Sequence, residues 1–62
     1  MIGNYLISYS AKVGGEWYSN LQYYGYGTRG EVVALFNVDA RNGDLTPYGK
    51  VEVRIDKIIF SD

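Results

Sequence analysis

The chain contains neither cysteine nor histidine among its 62 residues. Without these residue types there is no disulfide, no common zinc site and none of the usual nucleophile and base pairs of catalysis. A chain this short also has little room for a substrate pocket. We therefore predict a protein that is not an enzyme and that holds no metal and no cofactor.

The sequence also lacks an excess of charge and a long hydrophobic run. Six basic residues stand against seven acidic ones, scattered along the chain, so the sequence has neither a polybasic arm nor an acidic surface that imitates DNA. The N-terminal segment "MIGNYLISYS" has no basic start and no unbroken apolar stretch. This pattern argues against a signal peptide and a membrane span, and we predict a cytoplasmic protein.

At this length we expect a single domain over residues 1–62. Such a domain buries only about 60% of the surface that its unfolded chain exposes. Because disulfides and metals are excluded, stability has to come from a well-filled core or from self-association. A homodimer is therefore one expectation.

The first two segments predict a β-hairpin. In the first strand the alternation of side chains places one apolar set on a single face, with Leu6 as the exception: Tyr5, Ile7, Tyr9, Ala11 and Val13. Gly14-Gly15 supplies the positive φ angles of a tight turn. In the second strand, "EWYSNLQYYGYG", alternation puts Trp17, Ser19, Leu21 and Tyr23 in the core and the remaining aromatic side chains outside.

The run "EVVALFNV" is apolar on both faces, which is typical of a central or doubly covered strand. Val33 and Leu35 would lie opposite Val32, Ala34 and Phe36, so one face would need a partner, and this favours the homodimer. Asn42-Gly43 predicts a type I′ turn, and "TPYG" predicts a second turn.

The last segment, "GKVEVRIDKIIF", predicts a long strand in which Ile58 and Phe60 fall out of phase with Val51, Val53 and Ile55. A bulge near Asp56-Lys57 would return them to the core side. The predicted fold class is all-β: a small curled antiparallel sheet or barrel of four to five strands, OB-like or SH3-like, with little or no helix.

Two short motifs carry alternative interpretations. Gly25, Gly27 and Gly30 match the dinucleotide fingerprint G-x-G-x-x-G, but that fingerprint needs a helix opening at the last glycine within a parallel βαβ unit, and the β-branched run predicts a plain glycine loop instead. "DARNGD" offers oxygen ligands for calcium, but its spacing departs from the EF-hand loop and favours a solvated turn.

Five of the ten aromatic residues lie between Glu16 and Gly27. Three interpretations remain open: cross-strand packing, a platform for stacked nucleic-acid bases with basic side chains on the phosphates, or a protein interface. The candidate binding residues are Tyr18, Asn20, Gln22, Tyr24, Tyr26, Arg29, Tyr48, Lys12, Arg41, Lys50 and Arg54.

The order "MI", "GEWYS" with "LQYY", "EVVALFNV", "NG" and "YGKVEVRIDKI" resembles the small single-stranded-DNA-binding proteins of filamentous bacteriophages. The resemblance implies a dimeric OB-like barrel that stacks bases on Tyr18, on Tyr23 or Tyr24, and on Tyr48. Two departures are clear: only a tight turn stands where that family has its DNA-binding wing, and the hairpin that forms the family's dimer, here residues 39–46, is much shorter.

These patterns lead to one preferred function and one alternative. We expect a non-enzymatic module that binds single-stranded nucleic acid on an exposed tyrosine face. The alternative is a module that binds a protein partner through the same face, for example a phage or mobile-element inhibitor of a host protein. The two differ in their response to salt, because contacts to phosphates weaken steeply as salt rises.

Overall fold

A computed structural model describes residues 1–61. Three strands and one helix follow in the order β1 (Gly3–Val13), β2 (Glu16–Gly27), α1 (Arg29–Asn42) and β3 (Glu52–Phe60). The strands form an open antiparallel sheet in the order β2-β1-β3, so β1 is central. The chain is mostly sheet, as predicted. The expected number of four to five strands is wrong, because the sheet has three, and the expectation of little or no helix is also wrong, because α1 has fourteen residues.

The predicted hairpin of β1 and β2 is confirmed. Val13 pairs with Glu16 across a turn in which Gly14 and Gly15 have φ angles of 60° and 84°. Both positive values are those that a type I′ turn requires and that glycine adopts without strain. The hairpin therefore fixes the register of the two strands.

The predicted core face of β1 is also confirmed. Four of its alternate side chains are buried, and Val32 and Phe36 of α1 complete the buried cluster: Tyr5, Ile7, Tyr9, Ala11, Val32 and Phe36. The ring of Phe36 meets the rings of Tyr9 and Tyr23 edge to face, with centroids 5.0 and 5.4 Å apart. Edge-to-face pairs of this kind add to the stabilisation that burial gives.

The segment predicted as a third strand, "EVVALFNV", forms the middle of α1, residues 31–38. Thr28 caps this helix: its hydroxyl accepts from the backbone N–H of Glu31 at 3.1 Å, while the Glu31 carboxylate accepts from the backbone N–H of Thr28 at 2.8 Å. This reciprocal capping box is written in the sequence as Thr28-Arg29-Gly30-Glu31. Val32 and Phe36, four residues apart, then point at the sheet.

The predicted turn at Asn42-Gly43 is a helix end. Gly43 has a φ of 78° and closes α1, with its N–H donating to the carbonyl of Ala40 at 3.2 Å. A left-handed glycine after the last helical residue is a common way for a helix to stop. The turn predicted for "TPYG" is confirmed by the bond from the Gly49 N–H to the Thr46 carbonyl, 3.4 Å.

The helix covers only part of the sheet. Fourteen residues span about 21 Å, whereas eleven residues of β1 span about 36 Å. The close approach of α1 to β2 occurs at Gly25, where a Cβ atom would lie 2.7 Å from a methyl carbon of Val32. Beyond the end of α1, Leu45 and Val51 continue the cover over the same face.

The predicted bulge in the last strand is confirmed. Ser8 pairs with Lys57 while Tyr9 pairs with Ile55, so Asp56 is the additional residue. Ile58 returns to the core side and packs against the buried cluster. The change of phase in the sequence was therefore sufficient to predict this irregularity.

We expect Phe36→Ala to lower the free energy of unfolding by about 3 to 5 kcal/mol, as other truncations of buried aromatic residues do. That loss is comparable with the whole stability of a domain this small. Phe60→Ala is the control, because Phe60 is partly exposed at the end of β3, where its ring meets the Tyr5 ring edge to face at 5.0 Å. Urea denaturation followed by circular dichroism measures both, and a Phe36→Ala protein as stable as wild type would contradict this core.

A second prediction concerns the link between β2 and α1. The Tyr23 hydroxyl donates to the Asp39 carboxylate at 2.8 Å, and burial, that hydrogen bond and the carboxylate charge raise the pKa of Tyr23 to about 12 from its ordinary value of 10. The folded state therefore favours the neutral phenol. This contribution is complete below pH 10 and is lost as the pH rises through 12.

One pKa unit corresponds to about 1.4 kcal/mol, and the partial exposure of the Tyr23 ring reduces the effect, so we expect stability to fall by about 1 to 2 kcal/mol between pH 10 and 12. Tyr23→Phe should be less stable at neutral pH and should show a smaller fall. Urea denaturation at several alkaline pH values, with tyrosinate absorbance as a parallel readout, measures this. Equal falls in both proteins would refute the link.

Candidate functional site

A bulge in the hairpin decides which aromatic side chains of β2 lie on which face. Tyr9 pairs with Leu21 and Ala11 pairs with Tyr18, so Ser10 alone stands opposite Ser19 and Asn20. Asn20 has a φ of 63°, the left-handed conformation that accommodates the extra residue. The alternation of β2 therefore changes phase at this point.

This phase change corrects the prediction for Trp17 and Tyr18. Trp17 pairs with Lys12 on the face away from α1 and is 38% exposed, whereas Tyr18 pairs with the buried Ala11 and lies on the helix side of the sheet. Leu21 and Tyr23, beyond the bulge, pack against the core as predicted. The assumption that side chains alternate between the two faces without interruption from Glu16 to Gly27 was wrong.

The face of the sheet opposite α1, which we call the open face, is not covered by any of residues 1–61. Cross-strand pairing places successive rows on it, and one of them consists of Tyr24, Leu6 and Ile59. The next row is Gln22, Ser8 and Lys57, and beyond the row of Ser10 and Arg54 the last one is Trp17, Lys12 and Glu52. The open face thus combines aromatic, aliphatic and amide side chains with charges of both signs.

Tyr24 and Tyr26 are the most prominent groups at one end of the open face. They occupy alternate positions of β2 and are 70% and 68% exposed. The Tyr24 hydroxyl donates to the Gln22 side-chain oxygen at 3.2 Å, which orients the ring along the strand. Tyr26 lies beside the outer edge of β2 and also borders a groove next to α1.

Trp17 and Arg54 form the other aromatic feature of the open face. The Arg54 guanidinium lies 4.7 Å from the ring centroid of Trp17, a cation-π geometry, and its Nε donates to the Asp56 carboxylate at 3.3 Å. The fully buried Ser10 hydroxyl donates to the other carboxylate oxygen of Asp56 at 2.5 Å. The Asp56 carboxylate thus links the Ser10 hydroxyl, which lies opposite the bulge of β2, to the Arg54 guanidinium. Asp56 and the Trp17 ring together hold Arg54 in place.

The other predicted basic residues are not brought together. Arg29 opens α1 and Arg41 lies in its last turn, while Lys50 lies in the segment between α1 and β3. Lys12 and Arg54 are on the open face, as is Lys57, which the sequence analysis did not single out. The alternation of "RIDKI" together with the predicted bulge would have placed Lys57 on the face opposite the core, where it pairs with Ser8.

Tyr18 and Tyr48 lie on the opposite side of the sheet from Tyr24. They line a pocket of about 400 Å³ that continues the helix side of the sheet beyond the end of α1. The rest of its lining is uncharged: Tyr9, Ala11, Val13, Leu21, Leu45, Thr46 and Pro47. The candidate tyrosines therefore form two separate sets rather than one face.

The interpretation of the glycine motif needs a correction, because a helix does begin after Gly27. The strands on either side of α1 are separated in the sheet by β1, so the adjacent parallel strands of the dinucleotide unit are absent from residues 1–61. The Glu31 carboxylate also occupies the helix N-terminus, and the hydrogen bond from the Thr28 N–H lowers the pKa of that carboxyl group. An anion would meet this negative charge where a phosphate would have to bind.

The "DARNGD" segment is the end of α1 rather than a solvated hairpin turn. The Asp39 carboxylate accepts the Tyr23 hydroxyl, and the Asp39 carbonyl accepts the N–H of Asp44 at 2.9 Å. Among residues 1–61 no three side chains of His, Cys, Asp or Glu are grouped as metal ligands would be.

Comparison of the chain with protein-family models, with curated proteins and with solved structures gives no match. The functional argument therefore depends on the geometry of the site itself. Within the part of the chain that the structure describes, no helix is both long enough and apolar enough to cross a membrane.

The position of Trp17 on the open face leads to a prediction about stability. Trp17→Ala should lower the free energy of unfolding by about 1 to 2 kcal/mol, less than truncation of a fully buried aromatic residue, because the ring is partly exposed and packs against Arg54.

A double-mutant cycle with Arg54→Ala measures the contact between the two side chains. We expect a coupling free energy of about 0.5 to 1 kcal/mol from urea denaturation of the four proteins. A Trp17→Ala loss as large as that of Phe36→Ala, with no coupling to Arg54, would instead place Trp17 in the core.

Proposed function

We propose that this protein is a non-enzymatic module that binds single-stranded nucleic acid on the open face of its sheet. The observation that carries the proposal is the exposure of Tyr24 and Tyr26 at alternate positions of one strand, on a face that residues 1–61 leave uncovered. An aromatic ring that is neither packed nor covered offers a surface on which a base can stack. Stacking of this kind contributes about 1 to 3 kcal/mol per base.

The spacing of the two rings supports the proposal. Alternate residues of a strand are about 7 Å apart, so two bases of a stretched single strand can each meet one tyrosine. Leu6 and Ile59 extend the apolar surface beside Tyr24, while Gln22 and Ser8 offer hydrogen-bonding groups in the next row. Such a face suits unpaired bases, whose edges and ring faces are both accessible.

The charges on the open face allow only a moderate electrostatic contribution. Lys12 and Lys57 stand on it, whereas the Arg54 guanidinium is already engaged by Asp56 and Trp17. Each neutralised phosphate of a single strand gives a slope of about −0.7 in log K against log salt. We therefore expect a slope of about −1.4 for two lysine contacts, and stacking supplies the larger share of the affinity.

The alternative function, binding of a protein partner, is favoured by one observation. Tyr24, Leu6 and Ile59 form an aromatic and aliphatic row across all three strands, and aromatic residues are frequent anchors of protein interfaces. An interface of this kind would respond weakly to salt. For both functions the proposed location is the cytoplasm, because a reducing compartment does not require the disulfides that a chain without cysteine cannot form.

The likeness to filamentous-phage DNA-binding proteins supports the nucleic-acid proposal through Tyr24 alone. Tyr18 and Tyr48, the other positions that the likeness implies, lie at the pocket on the helix side. The proposal therefore names the open face, and not the full set of aromatic residues in the sequence pattern, as the binding surface.

Tyr24→Ala should weaken binding of oligo(dT) by about 1 to 3 kcal/mol, because one stacking surface is removed, and should leave the melting temperature nearly unchanged. Tyr48→Ala is a matched control, since Tyr48 is also 70% exposed but lies by the pocket on the other face. Quenching of the intrinsic tyrosine and tryptophan fluorescence measures binding.

Tyr24→Phe should retain most of the affinity, because stacking needs the ring and not the hydroxyl group. Equal losses in Tyr24→Ala and Tyr48→Ala would contradict the assignment to the open face. If wild-type protein shows no quenching at low salt, the nucleic-acid function is wrong and a protein partner becomes the preferred function.

A further inference from the structure

Beyond its bulge, from Leu21 to Gly27, the outer edge of β2 carries no charge, proline or bulge that would keep the edge from pairing. No strand among residues 1–61 pairs with this edge, since β2 contacts only β1 within the sheet. From Leu21 to Gly27 the strand has no charged residue and no proline. An uncharged edge of this length is a ready template for a further strand.

The outer edge of β3 differs in each respect. Its sequence includes four charged side chains, Glu52, Arg54, Asp56 and Lys57, and the additional residue Asp56 interrupts its regular pleat. Charges and bulges are the usual devices that prevent edge-to-edge association. The protein thus protects one edge of its sheet and leaves the other one open.

An apolar stripe on α1 lies beside the unprotected edge. Ala34, Leu35 and Val38 line a shallow groove of about 340 Å³ together with Tyr26 of β2 and Glu31. Leu35 is 51% exposed, and Val38 and Tyr26 are exposed as well. These side chains point away from the buried positions Val32 and Phe36, so residues 1–61 leave the stripe uncovered.

We propose that a second copy of this chain covers both features, by antiparallel pairing of residues 21–27 of β2 with the same residues of its partner. A two-fold axis perpendicular to the sheet gives this pairing, because identical strands related by such an axis run antiparallel. The same axis keeps both helices on one side of the sheet. The two Leu35 and Val38 stripes then face each other while the two strands join.

The result is one continuous sheet of six strands with two adjacent helices. The strand edges satisfy each other's backbone groups, and the helix stripes remove apolar surface from water, so the two contacts support one interface. Asn20 with its bulge and Gly27 with a φ of 141° mark the two ends of the pairing segment, since residues with positive φ disrupt regular pairing. The pairing stands independently of the nucleic-acid function.

If the proposed binding function also holds, the dimer enlarges its surface. The two open faces become coplanar, and the Tyr24 rings of both copies come to lie in the middle of the six-stranded face, whereas Tyr26 borders the groove that the partner covers. A single strand could then contact the Tyr24 ring of each copy. This consequence rests on the proposed function, whereas the dimer itself does not.

Sedimentation velocity of the full chain at a series of micromolar concentrations tests the dimer. Wild-type protein should approach twice the mass of one chain. Leu35→Lys should raise the dimer dissociation constant at least about tenfold, because each copy would place a charged, hydrated group in the apolar contact between the helices. Its lysine lies four residues after Glu31, a spacing that supports the helix, so loss of the dimer would not reflect loss of the fold.

Asn37→Lys is the matched control, because it makes the same addition of charge at an exposed position of α1 outside the stripe. It should leave the dimer unchanged. Ile59→Lys tests whether the dimer instead forms through the open face or the edge of β3, because Ile59 lies on β3 and on the open face. A wild-type monomer at high micromolar concentration, or a dimer that Ile59→Lys disrupts and Leu35→Lys does not, would overturn the proposal.

Hydrogen exchange gives a second measurement that does not depend on a variant. Amide groups on the outer edge of residues 21–27 should become protected as protein concentration rises, while those on the outer edge of β3 should not change. Protection that is independent of concentration on both edges would also overturn the proposal. Neither experiment contains nucleic acid, so failure of the dimer is distinguishable from failure of the binding function.

Discussion

The placement of the five aromatic side chains of β2 on the two faces of the sheet depends on one extra residue in that strand. Ser10 stands opposite two residues of β2, Ser19 and Asn20. The alternation of side chains between the two faces of the sheet is therefore out of phase between the residues before the bulge and those after it. Without the bulge Trp17 would lie under the helix side and Tyr18 on the open face. The buried Ser10 hydroxyl contacts the Ser19 hydroxyl of this bulge at 3.3 Å and donates to the Asp56 carboxylate of the bulge in β3, so one buried polar group is satisfied by both irregularities.

Much of the sheet could be predicted from the sequence, because its signals are local. Clean alternation in β1, two consecutive glycines and a change of phase near Asp56 were enough for the hairpin, the core face and the bulge in β3. The bulge in β2 has no comparable signal: its two residues, Ser19 and Asn20, are both small and polar, so neither face of the strand loses an apolar side chain when the phase changes.

The helix was missed for a different reason. In "EVVALFNV" apolar residues are so dense that the spacing of a strand and that of a helix both fit, and valine favours the strand. The signal that distinguishes them lies outside the run, in the Thr28 and Glu31 capping pair. Because the helix replaced a strand, the sheet became open, and the candidate residues divided between its open face and the pocket. The sequence alone could not show which candidate tyrosines share a face, because that depends on the helix.

The order of the sheet also affects how the chain can fold as it is synthesised. β1 and β2 are joined by two residues and can pair early, but the other side of β1 waits for β3, whose pairing residues lie forty or more positions further along, as Lys12 and Glu52 do. Until then the central strand has one vacant side. Local contacts form before distant ones because short loops close at lower entropic cost. Completion of the core is therefore a late event, which follows the emergence of residues 52–60 from the ribosome.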